Sequence, residues 1–136
     1  MIEDVQPKAV WAALKSDPNA QLVDVRTDAE WSSVGIPDLT ELGKSPALIA
    51  WQVYPTMQLN DGFLDQMKES GFTPEHRLYF LCRSGARSRA AARAAQEAGF
   101  PHAYNVADGF EGPADLRGRR GTKAGWWADG LPWRRT

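Results

Sequence analysis

Arg77-Leu78-Tyr79-Phe80-Leu81-Cys82-Arg83-Ser84-Gly85-Ala86-Arg87-Ser88-Arg89 decides how the chain is read, because it sets the only cysteine between an apolar run and a helix-forming segment. Leu78 to Leu81 is short, aromatic and aliphatic, which predicts a strand covered on both faces. Ser88 to Ala98 is alanine-rich and predicts a helix, with Ser88 as its N-cap residue. A buried strand running into a helix is the unit of an open parallel sheet, so the expected class is α/β with about five mainly parallel strands and helices on both faces. The loop between them is short and cationic. Arg83 and Arg87 supply charge, and Gly85 supplies the positive-φ freedom needed to curl the backbone. Such a loop turns amide N–H groups inward, and together with the positive end of the helix it forms an anion nest around the Cys82 sulfur. Helix N-termini and nearby arginines favour the thiolate, the form that acts as a nucleophile.

A lone cysteine ending an apolar strand is commonly inert packing. An inert one gains nothing from two arginines, a glycine and a serine within six positions. Cys82-Arg83-Ser84-Gly85-Ala86-Arg87-Ser88 resembles the active-site loop of the rhodanese-type sulfurtransferases. Three more stretches share the resemblance: Leu22-Val23-Asp24-Val25-Arg26 with Glu30-Trp31, Asn105-Val106-Ala107-Asp108-Gly109-Phe110-Glu111-Gly112, and Gly130-Leu131-Pro132-Trp133. It implies a single-domain rhodanese-like sulfurtransferase in which Cys82 accepts a sulfane sulfur as a persulfide. Arg83, Ser84, Gly85, Ala86, Arg87 and Ser88 would then bind the substrate, and Asp24, Arg26 and Glu30 would brace the surrounding loops. Val34-Gly35-Ile36-Pro37 departs from the family pattern, in which a histidine commonly precedes the Ile-Pro.

The 136 residues, 43% of them hydrophobic, fit one domain spanning 1–136. An acidic start, Met1-Ile2-Glu3-Asp4, without a basic segment and apolar run predicts no secretory leader, and no run is of membrane-spanning length. A single cysteine excludes an internal disulfide and suggests a reducing, cytoplasmic setting. It also means that sulfur placed on Cys82 leaves to an external acceptor. Residues 1–76 hold 5 Lys or Arg against 12 Asp or Glu, and residues 77–136 hold 11 against 5, so the halves carry −7 and +6. The cationic half surrounds Cys82 and draws in small anions, while the acidic half and the lack of a binding motif argue against nucleic acid. No metal-ligand cluster is present, and no cofactor is expected.

Further along the chain, Pro7 to Lys15 carries Val10, Trp11 and Leu14 at helical spacing. Ala20 to Val25 and Leu48 to Val53 are expected strands, with a short helix near Asp28 to Ser33. Trp51, Tyr54 and Met57 fall in or just after the second of these strands and are read first as core and alternatively as walls of the pocket, since loops after parallel strands share one edge. Asn60-Asp61-Gly62 turns into a helix buried through Phe63, Leu64 and Met67. Ala103 to Val106 is the last expected strand, and Asp108 to Lys123, basic and rich in Gly and Pro, reads as a solvated loop on the Cys82 side. Trp126, Trp127 and Trp133 pack back on the body. His76 and His102 each precede a strand, at the sheet edge opposite Cys82 and about 17 Å from it, so both are read as surface residues with no part in the chemistry.

The leading reading is transfer of sulfur from a small anionic donor such as thiosulfate, through Cys82, to a thiol, a cyanide or a partner protein. A rhodanese-like module that binds a partner or senses persulfide is the alternative. A cysteine phosphatase or arsenate reductase is disfavoured, since those loops place five residues between cysteine and arginine, and here Arg87 follows Cys82 after four.

Overall fold

The computed structural model describes residues 1–136 throughout. The elements in chain order are β1 (Glu3–Val5), α1 (Pro7–Ser16), β2 (Ala20–Asp24), α2 (Asp28–Ser33), β3 (Ile36–Pro37), β4 (Ala47–Leu48), β5 (Gln52–Val53), β6 (Gln58–Leu59), α3 (Phe63–Glu69), β7 (Arg77–Leu81), α4 (Ala86–Glu97), β8 (Ala103–Val106) and β9 (Trp133–Arg134). Five of the strands form one wholly parallel sheet in the order β1-β8-β7-β2-β4. The strand that leads into Cys82 is therefore the central one, paired on both sides.

Alternation along β7 sorts the core into two layers. Leu78, Phe80 and Cys82 join Phe63 and Met67 of α3 and Ala91, Ala92 and Ala95 of α4. Tyr79 and Leu81 face the other way, onto Val10 and Leu14 of α1 and onto Phe110 and Trp126. A strand buried on both faces has no polar side to show, which is why it reads as an uninterrupted apolar run. The alanines let α4 lie close to the sheet, and Pro7 starts α1 where its missing N–H costs nothing. The short helix α2 is held by a reciprocal capping box: Glu30 N–H donates to Thr27 Oγ1, and Glu30 Oε1 accepts from Thr27 N–H.

Two expectations are corrected, and one strand is added. The segment Leu48 to Val53 is not one strand. It ends in the sheet at Leu48, and Ile49 and Trp51 donate to the carbonyls of Asp24 and Val25 as the chain turns away into the β5–β6 hairpin. The helix after Cys82 begins at Ala86, not Ser88, and Gly85, at φ 117°, caps it. The edge strand β1 has no counterpart in the sequence reading, because Glu3-Asp4-Val5 shows neither alternation nor an apolar run. Much of the Asp108–Lys123 segment is solvated, as expected: Ala114, Leu116, Arg117, Gly118, Arg119, Thr122 and Lys123 are exposed, whereas Gly109, Phe110 and Gly112 at its start are buried. The tryptophan tail does pack back. Trp126 is fully buried and donates through Nε1 to the Pro132 carbonyl, and β9 pairs antiparallel with β3.

Candidate active site

The site grows from the C-terminal end of β7. Cys82 is free and only 1% exposed, and its backbone and that of Arg83 are tied down from behind. Phe110 N–H donates to the Cys82 carbonyl at 2.8 Å, and Glu111 and Gly112 N–H donate to the Arg83 carbonyl at 3.0 and 3.1 Å. Gly109 makes this approach possible. It sits at φ 66°, and a Cβ there would lie 2.5 Å from the Cys82 carbonyl oxygen.

At the front, Cys82 Sγ accepts from Gly85 N–H at 3.1 Å and lies 3.2 Å from Ser88 Oγ. The expected ring of amides around the sulfur is thus reduced to one amide and one hydroxyl. The amides of Ser84, Ala86, Arg87 and Ser88 donate to no backbone carbonyl. Amides of a helix's first turn have no intrahelical acceptor, and a curl of such unpartnered donors is of the kind that holds anions.

The two arginines differ in role. Arg83 is exposed, whereas Arg87 gives both ends of its guanidinium to Glu30, Nη1 to Oε1 at 2.7 Å and Nη2 to Oε2 at 2.9 Å, with each side chain about one-fifth exposed. Hydrogen bonding and charge from Glu30 raise the Arg87 pKa further above its ordinary value. Burial pushes the Glu30 carboxyl up, but the Arg87 hydrogen bonds and charge outweigh it, leaving that carboxyl below its usual range. Arg87 is therefore a charge already matched, and Arg83 is the open one. Both line a cavity of about 550 Å³ with Thr27, Glu30, Tyr54 and Met57. Tyr54 and Met57 are 57% and 37% exposed on the β5–β6 hairpin and wall this cavity, the second of the two places expected of them. Trp51 does pack inward, edge-on to Phe63.

Asp24 and Arg26 are completely buried and bonded to each other, Nη2 to Oδ2 at 2.7 Å. Arg26 also donates to the Gly35 carbonyl and stacks over Phe110, so this pair ties the end of β2 to the segments on either side. That is the bracing role expected of it, and Glu30 braces by holding Arg87. Ser84, Gly85 and Ala86 face a second hollow of about 380 Å³ with Asp4, Arg89 and Asn105. Asp4 and Asn105 escaped the sequence reading. Asn105 had one available signal: it is the polar residue between Ala103 and Ala107 on a face otherwise apolar. His76 and His102 stand ahead of β7 and β8, partly exposed at the surface as expected, and His76 accepts from Thr73 N–H. Neither has a recorded bond to Cys82. No helix is long and apolar enough to cross a membrane.

The family model described as "STR4 middle domain" matches residues 3–136. The chain belongs to the STR4 middle-domain family. It is 46% identical to Rv0390 from M. tuberculosis, whose crystal structure superposes with a TM-score of 0.89 over 98% of both chains. It is also 35% identical to the uncharacterized protein RP600 of Rickettsia prowazekii, over 98% of each. The rhodanese-like domain-containing protein 4 of Arabidopsis thaliana is 32% identical over 93% of this chain, which spans only 24% of that protein. The polysulfide-sulfur transferase homodimer of Wolinella succinogenes shares the fold at a TM-score of 0.65 and 22% identity, covering 99% of this chain and 80% of that one. The chain therefore has the rhodanese-like fold.

Proposed function

We propose that this protein is a sulfurtransferase in which Cys82 carries a sulfane sulfur from an anionic donor to an external thiol or cyanide. One observation carries the reading: Sγ meets one amide and one hydroxyl, and four further amides of the same curl, from Ser84 to Ser88, have no backbone partner. A thiolate at Sγ attacks the outer sulfur of thiosulfate. A Cys–S–S bond forms, the bond to the sulfonate sulfur breaks, and its electron pair departs with sulfite. The outer sulfur, now anionic, occupies the nest beyond Sγ, where fixed dipoles meet the charge without reorganising. Cyanide or a second thiolate then attacks that outer sulfur, and Cys82 leaves as thiolate. Arg83, the open cation at the mouth, draws the donor in. The Wolinella protein of the same fold is a polysulfide-sulfur transferase, which is in keeping with this chemistry, and a cytoplasmic setting fits the single free thiol.

The test is mass spectrometry after thiosulfate treatment, together with a thiocyanate assay. An adduct of about 32 Da on Cys82, lost on adding cyanide and absent from Cys82→Ser, is the expected result. An adduct without turnover would favour a persulfide carrier or sensor. Phosphatase chemistry is disfavoured by two features, the four-residue spacing and an Arg87 whose guanidinium is committed to Glu30. We expect no turnover of p-nitrophenyl phosphate.

A further inference from the structure

Register alone brings an unusual row of residues together. In the parallel sheet Asp4 of β1 lies opposite Asn105 of β8, and Asn105 lies opposite Phe80 of β7. Because side chains alternate, Asp4, Asn105 and Cys82 all belong to the face that α4 covers, the face that Ile2, Ala103 and Leu78 make apolar one row earlier. The two polar residues on that face are bonded in series. Asn105 is 2% exposed, and its Nδ2 donates to Asp4 Oδ1 at 2.9 Å and to the Gly85 carbonyl at 3.2 Å. Both of those partners are acceptors, so the amide has one permitted orientation and its Oδ1 must face Ser88. Ser88 Oγ lies 2.5 Å from that oxygen.

Ser88 has one hydrogen and several acceptors around it: Asn105 Oδ1, Cys82 Sγ and the Gly85 carbonyl. With the hydrogen on Asn105, Ser88 turns a lone pair to the sulfur and suits a protonated thiol. With the hydrogen on Sγ it suits a thiolate, and Asn105 Oδ1 loses its partner. We propose that Asp4 and Asn105 are positioning residues that act through Ser88, competing with Cys82 for its single hydroxyl hydrogen and so restraining the reactivity of the sulfur. Asp4 is half-exposed, paired with Arg89, and touches neither the sulfur nor the mouth cavity. The Arg89 and Asn105 hydrogen bonds keep its carboxyl below the ordinary range, hence an acceptor at neutral pH. The other charges around the sulfur, Arg83 and the Arg87–Glu30 pair, are untouched by this row.

The inference rests on the reading of Cys82 as a nucleophile, but its test needs no sulfur donor. The readout is the rate at which iodoacetamide alkylates Cys82 at pH 7, a reaction that forms the S–C bond and releases iodide. Asn105→Leu removes the competing oxygen, and Asp4→Ala leaves the Gly85 carbonyl as the amide's single anchor, so that Oδ1 is held less firmly against Ser88. Each raises the rate about fivefold, the factor that corresponds to one net hydrogen bond of about 1 kcal/mol. In a Ser88→Ala background neither has an effect, because no hydrogen is left to compete for. Asp4→Asn keeps an acceptor oxygen and stays at the wild-type rate. An equal rise in both backgrounds means that the cysteine was merely loosened, and it overturns the proposal. So does no rise with Ser88 present, or a rise in Asp4→Asn. Should Asn105→Leu not fold, the exposed Asp4→Ala decides alone. Failure of thiosulfate to load Cys82 would leave this result standing, and failure here would leave the sulfur chemistry standing.

Discussion

Replacing Glu30 with Gln tests whether the Arg87 pair holds the mouth together. The substitution keeps the length of the side chain and an oxygen for Thr27, but it sets an amide N–H₂ against a guanidinium that now donates to two carboxylate oxygens. A hydrogen bond to a charged group contributes about 1.5–3 kcal/mol. The pair is about one-fifth exposed, so solvent screens part of this, and roughly 2 kcal/mol is the working figure for the loss. With unfolding entropy of about 2.1 cal/mol/K per residue, that corresponds to a fall in Tm of roughly 7 °C for a chain of this length. The pH dependence supplies the sign. The Glu30 carboxyl is held below its ordinary 4.5, so the unfolded chain binds the proton more tightly than the folded one. Its stabilisation is complete above 4.5 and drains away as the pH falls through the lower, folded-state value. Thermal melts of wild type and Glu30→Gln between pH 7 and pH 3 should differ most at neutrality and converge in acid. A variant that melts with the wild type at pH 7, or a gap that persists unchanged to pH 3, would refute the reasoning.

Arg83→Ala should raise the KM for thiosulfate more than it lowers kcat, because Arg83 meets the donor at the mouth; steady-state kinetics showing the reverse would move it to the transition state. Arg26→Met strands a buried Asp24 carboxylate and should cost about 3–5 kcal/mol in urea denaturation, whereas a loss under 1 kcal/mol would mean that the pair is not buried in solution. Gly109→Ala drives a Cβ into the Cys82 and Arg83 backbone, at a φ that side chains rarely adopt. It should slow persulfide formation by more than tenfold even in molecules that remain folded by circular dichroism, and an unchanged rate would show that the loop has room to yield.

What could be read from the amino acids followed from how local each signal was. The β7–Cys82–α4 unit declares itself because strand period, glycine and alanine content all fall within twenty residues and agree. The alanine pattern misplaced the start of α4 by two residues, since Ser88 resembles a capping residue while in fact it turns its hydroxyl to the sulfur. The sequence showed a cationic loop but not that Glu30, 57 positions away, answers one of its two arginines. Tyr54 and Met57 suggested the core first and a pocket wall second; the turn of the chain after Trp51 decides for the wall. Asp4 and Asn105 lie 101 positions apart and meet through strand register, which no spacing along one strand encodes.

The place of β7 in the middle of the sheet bears on how the sulfur can be reached at all. Strand edges fray first, and the free energy of opening rises toward elements paired on both sides. Amide deuterium exchange at Leu78–Leu81 should therefore be the slowest in the molecule, limited by global unfolding. Adventitious oxidants gain no back door to the thiol through local breathing, so ageing of the nucleophile in storage should track solvent conditions at the mouth.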